Sequence, residues 1–469
     1  MINSKAIGIL KGFTNAEMEE LNLFLISPLL NTNRKVAALF SALKEYYPLF
    51  EDKDITYWNL FRSVYPGSEY NEATVRNLLS DFMESILDFL AVKRFRKNKP
   101  EVYLNAGAEL LEREWHAEFI IASKKLKTSI ENLQHKEEDY HYYKMKFEIL
   151  NFDYSSRILR FDTYLKDVTA GSIESELEIF FTYSKVKIMI AEAVIYLQYN
   201  NRHDQYKIKE LIAKLNLHEN NITSLIYKSF LQFYSSAQEV DYYRLRSIFK
   251  DNENVLNFDT SRNILVIMRM YTFEKSISDK RFADENRLIL NTMADKGYLK
   301  LYEKGFIAET DFRNYVIVNC QAGNYDLAEE FVESNRLKLP PEIRTQNVFY
   351  CRALISFYRK QFKSSLRGLS KITYSDHHLK LSIDSLTLRC LYELGFTEEI
   401  FSRLSSLENY LRSNKSISSN EKELFRNFVT LFKKLPGLNT KNAHGKANFL
   451  NLVTNSNTVC KTWLLDKAR

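Results

Sequence analysis

Apolar residues recur along this chain at steps of three and four, and the pattern starts close to the first residue. Thr14-Asn15-Ala16-Glu17 reads as a capping box, in which a hydroxyl and a carboxylate each satisfy a free backbone N–H at a helix start. Leu21, Phe24 and Leu25 follow at helical spacing, and Pro28 ends that helix. A second helix carries Val36, Leu39, Phe40 and Leu43 and stops before Pro48. A third is predicted over 54–65, with Ile55, Trp58, Leu60 and Phe61, and stops before Pro66-Gly67. A fourth opens near Asn71, and its stripe is Val75, Leu78, Leu79, Phe82, Ile86, Phe89 and Leu90, one face of an α-helix. These four helices are expected to form a compact N-terminal module over 1–98.

The pattern stays helical over 101–152. Trp115, Phe119, Ile120, Leu126, Ile130 and Leu133 outline one helix, and Tyr140, Tyr143, Phe147 and Leu150 the next. Periodicity weakens over 152–171, so 99–170 reads as a helical connector with a boundary at its end. Ser172 and Ser175 then open a long helix to about Tyr199. Shorter helices are predicted over 206–215, 222–234, 242–249, 264–273 and 283–297, the last with Leu288, Ile289 and Met293 inward.

The stretch 310–414 reads as three helix pairs built on one plan. The first turn is Ala322-Gly323-Asn324-Tyr325, and Asp326-Leu327-Ala328 opens the second helix. The matching positions are Lys360, Phe362, Ser365 and Leu369 in the next pair, and Gly395, Thr397, Ile400 and Leu404 in the third. The steps are 37 residues (323 to 360) and 35 residues (360 to 395). Gly suits the left-handed position that ends a helix, because it has no Cβ to clash. Ala328 and Ser365 fall where two helices would cross closely; Ile400 departs from that rule. A unit near 34 residues with these features is the tetratricopeptide plan. One pair cannot bury its own apolar face, and stacking on its neighbours does so. The expected fold is all-α: the N-terminal helical module, a tetratricopeptide-like α-solenoid over 171–435, and a C-terminal capping helix within 436–469, with Trp463 packed under the last repeats.

Composition supports that reading. At 469 residues the chain exceeds the size of one hydrophobic core. Twelve Gly and seven Pro are too few for a fold rich in β-turns. The formal charge of +7, from 66 basic and 59 acidic residues, is too small an excess to imply nucleic acid by itself. No apolar run approaches the roughly 20 residues of a membrane helix, and the first residues are too few and too polar for a secretory signal. A cytoplasmic location without membrane contact is the expectation.

Chemistry-bearing residues are sparse. Lys93-Arg94-Phe95-Arg96-Lys97-Asn98-Lys99 is the densest basic run; cations complementing a helix C-terminus explain it more simply than a phosphate site does. Cys320, Cys351, Cys390 and Cys460 form no C-x-x-C pair and read as reduced thiols, three of them within helices. Glu112 with His116, and His135 with His141, lack a third ligand at metal spacing and read as exposed histidines on charged helix faces. Asp376-His377-His378 is the one dense polar triplet, with Asp376 read as a helix N-cap. Phosphate-loop, nucleophile-elbow and zinc-helix motifs are absent from the sequence.

Several short segments carry a resemblance. They are Leu25-Ile26-Ser27-Pro28-Leu29-Leu30-Asn31, Tyr70-Asn71 through Leu78-Leu79-Ser80-Asp81, 319–325, Tyr392-Glu393-Leu394, Asn427-Phe428 with Leu435, and Trp463-Leu464-Leu465-Asp466-Lys467. In this order the chain resembles an uncharacterised bacterial family of tetratricopeptide-like helical-repeat proteins. The resemblance implies a fold and no activity, and it supplies no catalytic residue to carry over.

The functional expectation is a non-catalytic scaffold that binds a peptide or partner protein on the concave face of the helical array, without a cofactor or metal. Tyr315, Asn319, Asn347 and Tyr350, on the first helices of the repeats, are the candidates to line that groove. For the aromatics, packing between adjacent repeats is the competing account and the stronger one. The alternative function is nucleic-acid binding through the basic run and scattered Arg and Tyr.

Overall fold

The computed structural model describes residues 4–51, 53–158, 172–198, 203–216, 221–276, 279–299, 305–373, 377–435 and 443–468. Among them the regular structure is helical: 23 α-helices and one 3-10 turn, Arg336–Lys338. No strand occurs among the described residues; a single backbone bridge joins the Ile307 N–H to the Lys338 carbonyl at 2.7 Å. Contacts divide the chain into two compact units, Met1–Phe181 and Thr182–Arg469.

The first unit opens with α1 (Lys5–Leu10), α2 (Asn15–Ile26), α3 (Arg34–Lys44), α4 (Tyr57–Val64) and α5 (Glu72–Lys97). The capping box forms as the sequence implies: the Glu17 N–H donates to the Thr14 hydroxyl at 3.3 Å, and the Thr14 N–H donates to the Glu17 carboxylate at 3.0 Å. Asn33, Thr56 and Asn71 cap the next three helices with their side chains. Helix α5 is the axis of the module, since α1, α2, α3 and α4 all pack on it. Val75, Leu78, Leu79, Phe82, Ile86 and Phe89 are its buried face. Sequence periodicity missed α1, which is one and a half turns long but buries Ala6, Ile7 and Leu10. Trp58, expected inward, is 51% exposed and lies under the Arg62 guanidinium, 5.1 Å from its ring.

Three further helices, α6 (Lys99–Glu112), α7 (His116–Glu131) and α8 (Glu138–Arg157), pack mutually. A Cβ on Gly107 of α6 would lie 3.0 Å from Leu150 Cδ2 of α8, so glycine sets that close approach. Trp115 precedes α7 rather than belonging to it, and with Ile120 it faces outward; Phe119, Ala122, Leu126 and Ile130 form the inner stripe. Most of the stretch read as irregular, 159–171, lies outside the described residues. The boundary between units falls within α9 (Ser172–Gln198).

The second unit continues with α10 (Gln205–Asn216), α11 (Ile222–Ser236), α12 (Glu239–Asp251), α13 (Phe258–Ser276) and α14 (Lys280–Asp295). Within α14, Ile289 and Met293 are buried, whereas Leu288 is outward at 42% exposure. The three pairs follow: α15 (Glu309–Gln321) with α16 (Tyr325–Asn335), α17 (Pro341–Tyr358) with α18 (Phe362–Leu369), and α19 (His377–Leu394) with α20 (Thr397–Ser413). Helix α15 packs on α16 and α17, and α16 packs on α17; α17 packs on α18 and α19, and α18 on α19. Each pair thus covers the next in the same way, which is nearest-neighbour stacking.

The turns inside the pairs repeat at backbone level. Gly323, Lys360 and Gly395 all take positive φ, at 82°, 62° and 76°. The following N–H reaches back five residues in every case: Asn324 to the Asn319 carbonyl at 2.9 Å, Gln361 to Ser356 at 2.8 Å, and Phe396 to Leu391 at 3.0 Å. That bond closes the helix end by the Schellman pattern and satisfies a carbonyl the helix leaves free. Ala328 and Ser365 are fully buried and Ile400 nearly so.

Helices α21 (Ser419–Phe432), α22 (Ala443–Asn455) and α23 (Lys461–Ala468) close the unit. Trp463 stacks on Phe432, meets Tyr392 edge-on, and donates its indole N–H to Glu393 at 3.0 Å. Phe449, Val453 and Leu464 join one core with Leu381, Leu404 and Phe428. Helix α21 ends at Phe432; Pro436-Gly437 and most of the polar segment after them lie outside the described residues.

Candidate functional site

The four nominated groove residues lie inside the stack. Tyr315, Asn319, Asn347 and Tyr350 are 3%, 0%, 1% and 4% exposed. Tyr315 is stacked face to face on Phe331, with centroids 3.8 Å apart. Asn319 donates to the Tyr315 carbonyl on its own helix and to the Asn291 side chain of α14 at 2.9 Å. Asn347 donates to the Ile343 carbonyl and accepts from the buried Arg313 at 2.9 Å. Burial pushes the Tyr315 and Tyr350 phenols up to about 12, so both stay neutral. Asn319 thus ties α15 to the preceding α14, and Asn347 ties the first helix α15 to the first helix α17. Their burial does not fit a groove lining: these four side chains point into the neighbouring helices, while the same helices present others, such as Arg352, to the outside.

Arg389 of α19 is also buried, with its guanidinium 4.8 Å from the Phe357 ring. Asp384 on the same helix is 2% exposed and accepts from Lys380 at 2.9 Å and Arg403 at 2.6 Å. These charges are held by neighbours and serve packing.

The basic run divides into two parts. Lys93 is engaged with Glu20 at 2.5 Å and Glu17 at 3.1 Å, which tie α5 to α2. Its ammonium is held above the ordinary lysine range by those carboxylates, against the pull of burial. Lys97 and Lys99 instead line a pocket of about 590 Å³ with Lys124, Lys125, Tyr103 and Asn132. The pocket forms because α6 starts where α5 ends and α7 runs alongside α6, so the first turn of α6 faces the last turns of α7. Asn98, at the junction, accepts from the Glu101 N–H and donates to the Tyr143 hydroxyl at 2.6 Å, which fixes the corner. Four lysines and the first turn of α6 border it, and no carboxylate lines the pocket among the described residues. An anion is the ligand such a site can hold. Lys124 and Lys125 were not nominated from sequence, because nothing local signals that they meet a turn some 25 positions earlier.

The histidines differ from expectation. His141 is buried and paired with Glu176 at 2.6 Å, and Lys144 reaches the same carboxylate at 2.5 Å. Burial alone would raise Glu176; the bonds from His141 and Lys144 outweigh it and hold the carboxyl below its ordinary value. His116 leans on Tyr154. Three cysteines are buried, with desolvation pushing the Cys320 and Cys390 thiols up to about 12 and about 11; Cys460 is half-exposed. Asp376 lies outside the described residues, while His377 and His378 open α19. No helix among the described residues is long and apolar enough to cross a membrane.

No protein-family model matches the chain, and no curated protein matches it. Among solved structures it is similar to the crystal structure of the APC/C hetero-tetramer Cut9-Hcn1, at 13% identity and a TM-score of 0.25, over 98% of this chain and 86% of that one. A likeness of that size carries no conclusion about this chain.

Proposed function

We propose that this protein is a non-catalytic interaction scaffold that takes a peptide or a partner protein on its stacked helix pairs, in the cytoplasm and without a cofactor. The observation that supports this is the repeated stacking of α15–α20, in which each pair covers the next and an extended row of helices results. Tyr315, Asn319, Asn347 and Tyr350 set the spacing between first helices in this reading, and a partner is contacted by the exposed side chains of the same pairs. Leu327, Phe396 and Phe401, between 39% and 48% exposed, are apolar members of that surface. The test is affinity capture of the full chain from its native cell, with and without nuclease. The expected result is one protein that co-purifies in near-equal amount in both cases and is lost with Leu327→Asp or Phe401→Asp. Capture of nucleic acid alone, or of proteins that all disappear on nuclease treatment, overturns it.

A second reading is supported by the lysine pocket. Four cations around one cleft favour a phosphate-bearing ligand, a nucleic-acid backbone included. Binding to a labelled single-stranded oligonucleotide should then fall steeply with salt and drop at least tenfold in Lys97→Glu/Lys124→Glu. Equal binding by that variant removes this reading and leaves the scaffold untouched.

A further inference from the structure

We propose that His377, His378 and Glu421 form a binding site for a divalent transition-metal ion of the zinc class. The two histidines are the first residues of α19, and Glu421 stands in the first turn of α21. The two segments are 43 residues apart in sequence, yet the donor atoms of all three side chains lie within 4.8 Å of one another. Glu421 Oε1 is 2.8 Å from His378 Nδ1, and Oε2 is 3.9 Å from His377 Nε2. One carboxylate therefore faces two imidazoles with its two oxygens.

The backbone holds this arrangement. The Glu421 N–H donates to the Ser418 hydroxyl at 3.2 Å, which fixes the first turn of α21. The two imidazole rings lie 4.0 Å apart between centroids, inclined at 41°. Glu421 is 19% exposed and His377 23%, while His378 is 58% exposed. The site is thus open on one side, with room for water or an outside ligand in a further position.

A simple ion pair is the ordinary account of a His–Glu contact. Here one carboxylate meets both rings, one on each oxygen, and the same convergence presents two imidazole nitrogens and a carboxylate to a shared ion. Two neutral imidazoles and a carboxylate are a donor set of zinc, with bond lengths of about 2.0–2.2 Å. Tetrahedral bonds of that length place donors about 3.3 Å apart; the three donors here lie within 4.8 Å of one another, so side-chain rotation must draw them together around the ion. Calcium and magnesium prefer all-oxygen sites and are excluded by the donor set. Both helix starts present partial positive charge to the ion, so the affinity is modest and rests on the carboxylate.

The experiment uses the full chain, stripped with a chelator and titrated with zinc chloride in a calorimeter, with cobalt(II) as a coloured probe. The expected result is one zinc ion per chain, a rise in melting temperature on binding, and the visible absorption of four-coordinate cobalt with nitrogen and oxygen donors. His377→Ala/His378→Ala, and separately Glu421→Gln, should weaken zinc at least tenfold. Melts of metal-free protein check that both variants remain folded, and Glu421→Gln keeps the size and polarity of the side chain should the double variant not fold. No zinc uptake by the parent, or unchanged uptake and cobalt spectrum in Glu421→Gln, overturns the proposal.

Discussion

Ser365 donates its hydroxyl to the backbone carbonyl of Ala353 at 2.8 Å, across the line where α18 meets α17. A Cβ on Gly368, one turn further along α18, would lie 3.4 Å from the Ala353 Cβ, so the two helices touch nearly backbone to backbone. Ser365→Leu should cost about 1–3 kcal/mol by overpacking, and Ser365→Ala only about 0.5–1.5 kcal/mol for the lost hydrogen bond. Urea unfolding monitored by circular dichroism orders the two; equal midpoints would show that the crossing tolerates bulk.

Ala328 occupies the equivalent place one pair earlier and is fully buried, while its neighbour Leu327 is 39% exposed. Ala328→Arg should cost several kcal/mol, combining overpacking with a buried charge. Leu327→Arg should stay within about 0.5 kcal/mol of the parent. The contrast between adjacent positions, read from paired thermal melts, checks the placement of this helix more sharply than either variant alone.

At the turns the expected signs are opposite. Gly323 has φ +82° and nothing within 4 Å of a built Cβ, so Gly323→Ala should destabilise by about 1–2 kcal/mol through the backbone alone. Lys360 already bears that strain at φ 62°. Lys360→Gly should relieve it, less the greater freedom of the unfolded chain, and stabilise by roughly 0.5 kcal/mol. A lowered midpoint for Lys360→Gly would show that the Lys360 side chain contributes more than its backbone costs.

Glu17 carries a pH dependence. The Thr14 backbone N–H, and then Lys93, hold its carboxyl below the ordinary glutamate value of 4.5. A group lowered on folding contributes fully above that ordinary value and loses its contribution as pH falls through the lowered one. Stability should therefore decline on acidification below 4.5, and Glu17→Gln should be less stable than the parent at neutral pH and converge toward it in acid. Denaturation midpoints measured across that range decide it; a constant gap between the two proteins would contradict the assignment.

Most of the helices were legible because apolar side chains at steps of three and four have few alternatives to an inward stripe. The register 323, 360 and 395 was legible as well: two glycines mark it, and Lys360 follows only from spacing. What failed were side chains at element ends. Trp58 and Trp115 lie on the helical period, yet each sits beside an arginine, Arg62 and Arg113, and stays half outside. Polar residues on first helices were misplaced for a related reason. Asn319 and Asn347 look like groove donors in one dimension, and only the position of the next pair reveals that their partners are protein atoms. His141 and Glu176, 35 residues apart, and the lysine pocket between α6 and α7 depend on contacts that no local pattern encodes.

The recurrence of one backbone geometry at 323, 360 and 395 makes those three points interchangeable junctions. A chain cut after one and rejoined after another would lose or gain a whole hairpin while meeting the same conformation on either side of the seam. Such a molecule lengthens or shortens by duplication and deletion without redesigning its joints, and variants differing by one hairpin should remain soluble and helical.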